Sequence, residues 1–222
     1  MFSINLEEMK KVITIQHKND RDQLDVIFSE SPRLIVEAPA GYGKTTTMIS
    51  RIAYLFASGK IPNPKRILAL TFSVNAALKI KREVAGKLPL LLGTQSNPVA
   101  IENKVMVTNY HGFCKGMLKK YGYLISDALR KDINLFRAIS ESDIAKHSIL
   151  ENILTPDEIQ LLKNIETAIK EASIPDTQSI HAYHEIVIKK LLPLEYITHN
   201  AIILFALKIF GSLSIVGVTR SE

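Results

Sequence analysis

The chain has 222 residues, of which 46% are hydrophobic and 23% are charged, and its net charge is +6. This composition is typical of a globular protein with a sizeable core and excludes a disordered chain. The single cysteine, Cys114, excludes an internal disulfide and suits a reducing compartment. Residues 1–9 lack the apolar run of a signal peptide, and no apolar stretch approaches the roughly 20 residues that span a bilayer. The sequence therefore predicts a cytoplasmic protein that makes no membrane contact.

The charge is unevenly distributed along the chain. Residues 1–126 contain 18 Lys and Arg against 9 Asp and Glu, whereas residues 127–222 contain 10 against 13. Between Lys60 and Lys120 there are 11 basic residues and only 2 acidic ones. Such a segment is either a solvated face or a surface for a polyanion, and a nearby phosphate-binding motif would favour the polyanion.

The first part of the chain alternates short apolar runs with amphipathic stretches. Apolar, β-branched runs predict strands at 34–38, 66–72 and 104–110. Helical spacing of apolar residues predicts the intervening helices at 45–59, 75–88 and 111–125. Buried strands that alternate with helices are typical of an α/β fold with a parallel sheet covered on both faces.

After about Ser126 the pattern changes to helices. Amphipathic stretches predict helices at 127–139, 142–154, 155–172 and 180–192. The only later strand that we predict is LSIVGV, residues 213–218. The sequence therefore predicts an α/β unit followed by an all-helical one.

The stretch EAPAGYGKTTTM, residues 37–48, contains the groups that a phosphate loop requires. Such a loop needs close backbone approach, a helix N-terminus, a lysine for charge and a hydroxyl for Mg²⁺. Here Gly41 and Gly43 supply the close approach, Lys44 the positive charge and Thr45 the hydroxyl. A simple turn between a strand and a helix is the alternative, and the predicted strand and helix on either side favour the phosphate loop.

The stretches LIVEAPAGYGKTTTMISRIAYLF and ILALTFSVNAALKIKREV resemble the UvrD/Rep-type superfamily 1 DNA helicases. In that family an alanine commonly occupies the position of Ala38, where a strict phosphate-loop pattern has glycine. The resemblance covers residues 20–125. It implies an ATP-dependent 3′–5′ DNA helicase with a RecA-like domain that uses ATP and Mg²⁺, the metal being bound through Thr45. The loop residues that it implies for nucleotide binding are Ala38, Pro39, Ala40, Gly41, Tyr42, Gly43, Lys44, Thr45 and Thr46.

Gln23 lies 21 residues before Lys44, which is the spacing of the adenine-reading glutamine in this family. An amide can donate to and accept from an adenine edge at the same time, so glutamine suits that role. Without the family context, Gln23 would be read as a surface residue.

Two further stretches resemble the single-strand-binding motifs of the family. TFSVNAA, residues 71–77, departs from the usual pattern at Val74 and Asn75, and NYHGFC, residues 109–114, departs at Asn109 and Gly112. Phe72 is either a platform for base stacking or a core residue at a strand end. His111 is either a DNA contact or a structural histidine. The residues that the resemblance implies for single-stranded DNA binding are Thr71, Phe72, Ser73, Asn75, Asn109, Tyr110 and His111.

The acidic pair that hydrolysis requires in this family is not found in a suitable context. Asp157 and Glu158 follow Thr155-Pro156, a pattern that is typical of a helix start, where acids simply suit the dipole. LSIVGVTRSE lies where the strand before the acidic motif belongs, but Glu222 lacks a preceding aspartate. We therefore predict no catalytic residue in this chain, and a separate chain that carries the rest of the helicase as a possible partner.

These observations predict a RecA-like domain over 1–125, an inserted helical subdomain over 126–211 and a truncated or atypical tail over 212–222. The leading functional hypothesis is the N-terminal region of a helicase. The alternative is a non-enzymatic module that binds nucleotide and DNA. A small P-loop kinase is disfavoured, because the acidic second half offers only Arg130, Arg137 and Arg220 for a lid.

Overall fold

The structure is a computed structural model that describes residues 5–93 and 103–215. It forms two compact units, which divide between Asn109 and Tyr110. The predicted boundary lies later, between 125 and 126, because the helix that follows the third predicted strand packs within the second unit.

The first unit contains four helices and a pair of strands in its described part. The helices are α1 (Leu6–Gln16), α2 (Arg21–Phe28), α3 (Lys44–Ala57) and α4 (Val74–Leu91), and the strands are β1 (Ile67–Thr71) and β2 (Val105–Asn109). Helix α3 supplies much of the core, since Ile49 is buried together with Ile52 and Ala53, which follow it one helical turn later. Met9 and Ile13 of α1 are fully buried in the same cluster.

Strands β1 and β2 pair in parallel, with Ile67 opposite Val105 and Thr71 opposite Asn109. Both strands therefore end at the same edge of the sheet, where the predicted DNA contacts begin. The sequence predicts a sheet that is covered on both faces, but one face of this sheet is partly open. Leu68 and Met106 lie opposite each other on it and remain 42% and 38% exposed.

The prediction of a strand at 34–38 is wrong. No strand of the described residues pairs with these residues, and Ile35 is 90% exposed. The composition of the run satisfies β-propensity, but a strand also needs a neighbour to bond its N–H and C=O groups. The predicted phosphate loop thus follows a segment that no strand of the described residues pairs with.

The second unit is mainly helical. Its α-helices are α5 (Tyr110–Tyr121), α6 (Ser148–Glu151), α7 (Pro156–Lys170), α8 (Thr177–Ile186) and α9 (His199–Ile215). Its core lies largely along α9, where Ala201, Ile202 and Phe205 are fully buried. Among the described residues, no helix has both the length and the apolarity that a membrane span requires.

The prediction that this unit is all-helical is wrong. Two short strands, β3 (Arg137–Ile139) and β4 (Tyr196–Thr198), pair in parallel within it. The helix predicted over 127–139 is replaced by two 3₁₀ turns and β3, because Ser126 and Asp132 cap these turns with their side chains and so compete with a continuous helix.

The helix predicted at 155–172 is confirmed by α7, and the other two helices predicted for this unit are partly confirmed. Residues 142–154 form a 3₁₀ segment and the short α6, and the end of 180–192 forms a π turn. Residues 213–215 of the strand predicted at 213–218 belong to α9, and residues 216–218 lie outside the described residues.

Candidate nucleotide and nucleic-acid site

The loop before α3 has the backbone shape of an anion cradle. Gly41 and Gly43 adopt φ angles of 87° and 75°, a region that glycine enters at little cost. Helix α3 begins at Lys44, and within the described residues no side chain caps its start. Since the first N–H groups of a helix have no partner inside the helix, this start is available to an anionic ligand.

Lys44 is exposed and bends back over the loop. Its Nζ donates to the carbonyl oxygen of Pro39 at 2.7 Å and to that of Ala38. These bonds hold the ammonium group at the cradle with neutral acceptors that a phosphate can replace. Thr45 and Thr46 are partly buried in the first turn of α3, and Ala40 and Tyr42 are exposed in the turn before it.

Gln23 lies in the first turn of α2 against the phosphate loop. Its amide atoms lie 3.4–3.7 Å from the position of a Cβ built on Gly43. The Oε1 atom accepts from Thr47 Oγ1 at 3.2 Å, and the Nε2 atom donates to Asp20 Oδ2 at 3.0 Å. His17 Nδ1 lies 2.5 Å from the same Oε1 atom. The predicted base reader is therefore part of a hydrogen-bonded network and not a loose surface residue.

A cavity of about 700 Å³ joins the two predicted parts of the nucleotide site. Gln23 and Lys44 both line it, and aliphatic side chains form much of the rest of its wall. A volume of this size suits a drug-sized ligand. The other lining residues include Val26, Leu34, Val36, Met48, Tyr42 and Arg51.

Arg51, which the sequence did not single out, joins α3 to the end of α2. Its Nη1 donates to the backbone carbonyl oxygens of Val26 at 2.5 Å and Ser29 at 3.2 Å. Cationic side chains suit the unsatisfied carbonyls at a helix C-terminus. Arg51 thus holds α2, and with it Gln23, beside the phosphate loop.

The common edge of β1 and β2 displays an aromatic side chain. Phe72 directly follows β1 and is 92% exposed, so the interpretation of Phe72 as a core residue is wrong. Thr71 donates through Oγ1 to the carbonyl oxygen of Ser73, and Ser73 caps α4 by accepting from the N–H of Ala76. Asn75 is exposed in the first turn of α4. Asn109, opposite Thr71, ends β2 at the same edge.

The last two predicted DNA contacts lie at the start of α5 in the second unit. Tyr110 is 43% exposed. The ring of His111 lies 5.8 Å from that of His199, and its Nε2 is buried without a hydrogen-bond partner among the described residues. Burial, together with His199 and Lys115, lowers the pKa of His111 below its ordinary value. This placement suits a neutral histidine within its unit, and a contact between His111 and DNA stays a prediction.

Asp157 and Glu158 form a helix start, as the sequence indicates. Thr155 Oγ1 accepts from the N–H of Glu158 at 3.2 Å, and Glu158 Oε2 accepts from the N–H of Thr155 at 2.8 Å. Lys190 also donates to Glu158 Oε2 at 2.6 Å. This reciprocal capping box occupies the carboxylate that a catalytic role would need.

Comparisons with known proteins identify relatives of this chain. Over 122 residues the chain is 34% identical to a "Probable DNA helicase II homolog" of Mycoplasma pneumoniae, covering 54% of this chain and 15% of that protein. It is 36% identical over 107 residues to "ATP-dependent DNA helicase UvrD1" of Mycobacterium leprae, covering 48% of this chain and 12% of that protein. It is 30% identical over 111 residues to an ATP-dependent helicase/nuclease protein of Bacillus velezensis, covering 47% and 9%.

The chain thus matches only a small part of the length of each of these relatives. The family model described as "UvrD/REP helicase N-terminal domain" matches residues 19–201, which is most of this chain. That span begins just before α2 and includes the phosphate loop, both strands of the first unit and the beginning of α9. The chain therefore belongs to the UvrD/REP helicase N-terminal domain family.

Proposed function

We propose that the first unit binds ATP–Mg²⁺ and single-stranded DNA as the N-terminal, RecA-like part of an ATP-dependent 3′–5′ DNA helicase. The observation that carries this proposal is the shared cavity of Gln23 and Lys44, which joins a predicted base reader to a phosphate loop. Gln23 was assigned by its spacing of 21 residues from Lys44, and the cavity that both residues line supports that assignment in space.

The residues of the first unit fit the parts of the nucleotide. Loop N–H groups and Lys44 would hold the phosphates, and the hydroxyl of Thr45 would contact Mg²⁺. The aliphatic wall around Val26, Leu34 and Met48 would cover the apolar base and sugar faces, while Gln23 would meet a base edge. The bound metal would neutralise the phosphate charge and orient the terminal phosphoryl group.

Single-stranded DNA would lie across the edge where β1 and β2 end. Phe72 offers an exposed face on which a base can stack, and Asn75 and Asn109 offer amides beside it. Lys79 and Arg82, on the exposed surface of α4, would attract the phosphates. This arrangement supports a nucleic-acid surface in the same unit as the nucleotide site.

The 222-residue chain by itself is proposed to bind ATP with negligible turnover. Phosphoryl transfer in P-loop enzymes needs a metal-binding carboxylate at a strand end, a residue that positions water and a stabilising arginine. Strands β1 and β2 are followed by Phe72-Ser73 and Tyr110-His111, and neither pair contains a carboxylate. Binding the phosphates without stabilising the transition state gives affinity but no rate.

A separate polypeptide that supplies the acidic motif is the proposed partner. The aliphatic run at 34–36 offers it an apolar contact surface, because these side chains are exposed and no strand of the described residues pairs with the run. The second candidate function, a non-enzymatic module that binds nucleotide and DNA, predicts the same binding but no such complementation.

Steady-state ATP hydrolysis by the purified chain, with and without single-stranded DNA, tests the proposal. We expect no turnover above that of the Lys44→Ala variant in either condition. DNA-stimulated hydrolysis that Lys44→Ala abolishes would show that the chain is a complete ATPase. Turnover that appears only after a polypeptide with the acidic motif is added would favour the split helicase over the non-enzymatic module.

A further inference from the structure

The side chain of His17 connects the predicted base reader to the core of the first unit. His17 is 5% exposed, and its Nδ1 lies 2.5 Å from Oε1 of Gln23. Its Nε2 lies 2.9 Å from Oγ of Ser50, a fully buried residue of α3. The span that matches the helicase family begins at residue 19, so His17 and the whole of α1 precede it. An element outside the family match therefore contacts the base-reading amide.

The turn that ends α1 fixes the backbone of His17. The N–H of Asn19 donates to the carbonyl of Thr14 at 3.1 Å, and the N–H of Lys18 donates to that of Ile15 at 3.0 Å. These two hydrogen bonds, together with the left-handed backbone of Lys18 (φ 51°), form a Schellman motif with His17 as the C-cap. Because this turn leads directly into α2, it sets the distance between His17 and Gln23.

The hydrogen-bond network permits one orientation of the Gln23 amide. The carboxylate of Asp20 only accepts hydrogen bonds, so the atom of the Gln23 amide that faces it at 3.0 Å must be Nε2. The atom that faces His17 is then Oε1, which requires a proton on Nδ1 of His17. In the neutral ring, Nε2 of His17 accepts from the hydroxyl of Ser50. Both nitrogens of the buried ring thereby have a hydrogen-bond partner.

The two donors to Oε1 of Gln23 differ in how easily they can leave. Thr47 Oγ1 donates at 3.2 Å, and its hydroxyl can rotate to the carbonyl of Gly43 one turn earlier in the chain, as helical threonines commonly do. The N–H of His17 has no comparable freedom, because turning the buried ring would leave a polar group unsatisfied. An incoming donor can therefore replace Thr47, while His17 keeps the amide in place.

We propose that His17 is a positioning residue that makes the nucleotide site prefer adenine to guanine. The inference rests on the proposed function, in which Gln23 meets a purine base. With the amide held, Nε2 can donate to N7 of adenine while Oε1 accepts from the amino group at C6. Guanine presents a carbonyl oxygen at C6, which would face Oε1, acceptor against acceptor. An amide that His17 does not hold can swing Oε1 away from the base and present only Nε2, which donates to N7 of adenine or to N7 or O6 of guanine.

Three probes separate this role from a purely structural one: ATP–Mg²⁺, GTP–Mg²⁺ and tripolyphosphate–Mg²⁺, each titrated calorimetrically into the full chain. In His17→Ala we expect affinity for ATP to fall by about 2- to 12-fold, the range for one lost hydrogen bond, and the ATP-to-GTP ratio to fall with it. Affinity for tripolyphosphate, which has no base, should stay the same. His17→Phe keeps a ring of similar size in the core and should give the same loss of selectivity if His17→Ala does not fold.

A double-mutant cycle with Gln23→Ala tests whether His17 acts through the amide. In the Gln23→Ala background, His17→Ala should have no further effect on the ATP-to-GTP ratio. Additive effects, or an equal loss of affinity for tripolyphosphate, would overturn the positioning role. Lys44→Ala should weaken all three ligands. If it weakens none, the proposed nucleotide site fails, whereas an unchanged ATP-to-GTP ratio in His17→Ala with a normal Lys44→Ala effect overturns only this inference.

Discussion

Helices α3 and α7 both begin within sequence patterns that resemble helicase motifs, yet their first turns are built in opposite ways. Helix α3 starts after Gly43, whose φ is 75°, and has no side-chain cap within the described residues. Helix α7 starts after Thr155, which forms a capping box with Glu158. The first arrangement leaves polar groups for a ligand, whereas the second satisfies them internally. The hydrogen bonds at the two helix starts therefore separate a candidate binding motif from a structural one, although both starts resemble motifs in sequence.

Helix α4 lies between these extremes. Ser73 caps it by accepting from the N–H of Ala76 at 3.0 Å, so part of its start is already satisfied. The aromatic ring of Phe72, directly before the cap, is 92% exposed. We therefore expect the contribution of this region to DNA binding to come from side chains more than from backbone N–H groups.

The largest effect in the comparison is expected at α3. Lys44→Ala removes the cation of the cradle, and since a hydrogen bond to a charged group contributes about 1.5–3 kcal/mol, affinity for ATP–Mg²⁺ should fall by about 10- to 150-fold. Isothermal titration calorimetry measures this affinity. Lys163→Ala, which removes a partly buried lysine within α7, is the control and should bind like the wild type. Equal affinity of Lys44→Ala and the wild type would remove the phosphate-loop interpretation.

The next effect is expected at the start of α4. Stacking of a base on an aromatic side chain contributes about 1–3 kcal/mol, so Phe72→Ala should weaken binding of single-stranded DNA by about 5- to 150-fold. Fluorescence anisotropy with a labelled oligonucleotide measures the change. Tyr123→Ala, which removes another exposed aromatic ring in the second unit, serves as control. A loss of the same size in the control would mean that Phe72 has no special role.

Charge on α4 should give a smaller effect that depends on salt. Lys79, Lys81 and Arg82 are exposed, and each phosphate that they neutralise should contribute about −0.7 to the log–log slope of affinity against salt. Neutralising all three should flatten the slope by up to about 2. The same neutralisation at Lys163, Lys170 and Lys189 in the second unit is the control. An unchanged slope in the α4 variant would identify these residues as a solvated helix face.

The parts of the fold that local patterns determine could be predicted from the sequence. Strands β1 and β2 and helix α3 lie close to their predicted positions, because apolar spacing and Gly59, which has a φ of 72° after α3, mark their limits. The run at 34–38 has the composition of a strand, but whether it pairs depends on a neighbour that its own sequence does not reveal. The helix predicted over 127–139 failed because side-chain caps at Ser126 and Asp132 outweigh the apolar periodicity.

The candidate site shows the same limit. The predicted phosphate loop is contiguous in the chain, so a local pattern is enough to predict its members. His17 and Arg51 contribute through hydrogen bonds to α2 and to residues distant in the sequence, and a histidine at a helix end or an arginine within a helix has no distinctive pattern of its own. Only the packing of α1, α2 and α3 brings His17 to Gln23 and Arg51 to the end of α2.

The smallest effect is expected at α7, and it concerns stability. Burial acts to raise the pKa of Glu158, but the hydrogen bonds from Lys190 and Thr155 outweigh it and lower that pKa below its ordinary value of 4.5. Glu158→Ala removes the capping carboxylate and its contact with Lys190, so the free energy of unfolding should fall by about 1 kcal/mol, while affinity for ATP should not change. Chemical denaturation measures the first quantity and titration the second.

The pH dependence of this difference gives an independent check. Because the pKa of Glu158 is lower in the folded state, its contribution is complete above the unfolded-state value and disappears as the pH falls through the folded-state value. The stability gap between the wild type and Glu158→Ala should therefore be complete above the unfolded-state pKa of about 4.3 and narrow as the pH falls further. Asp157→Ala removes an acid from the same turn without breaking the capping box and should show a smaller gap. If Glu158→Ala left stability unchanged but altered ATP binding, the start of α7 would join α3 as a ligand site, and the contrast between the two helices would no longer hold.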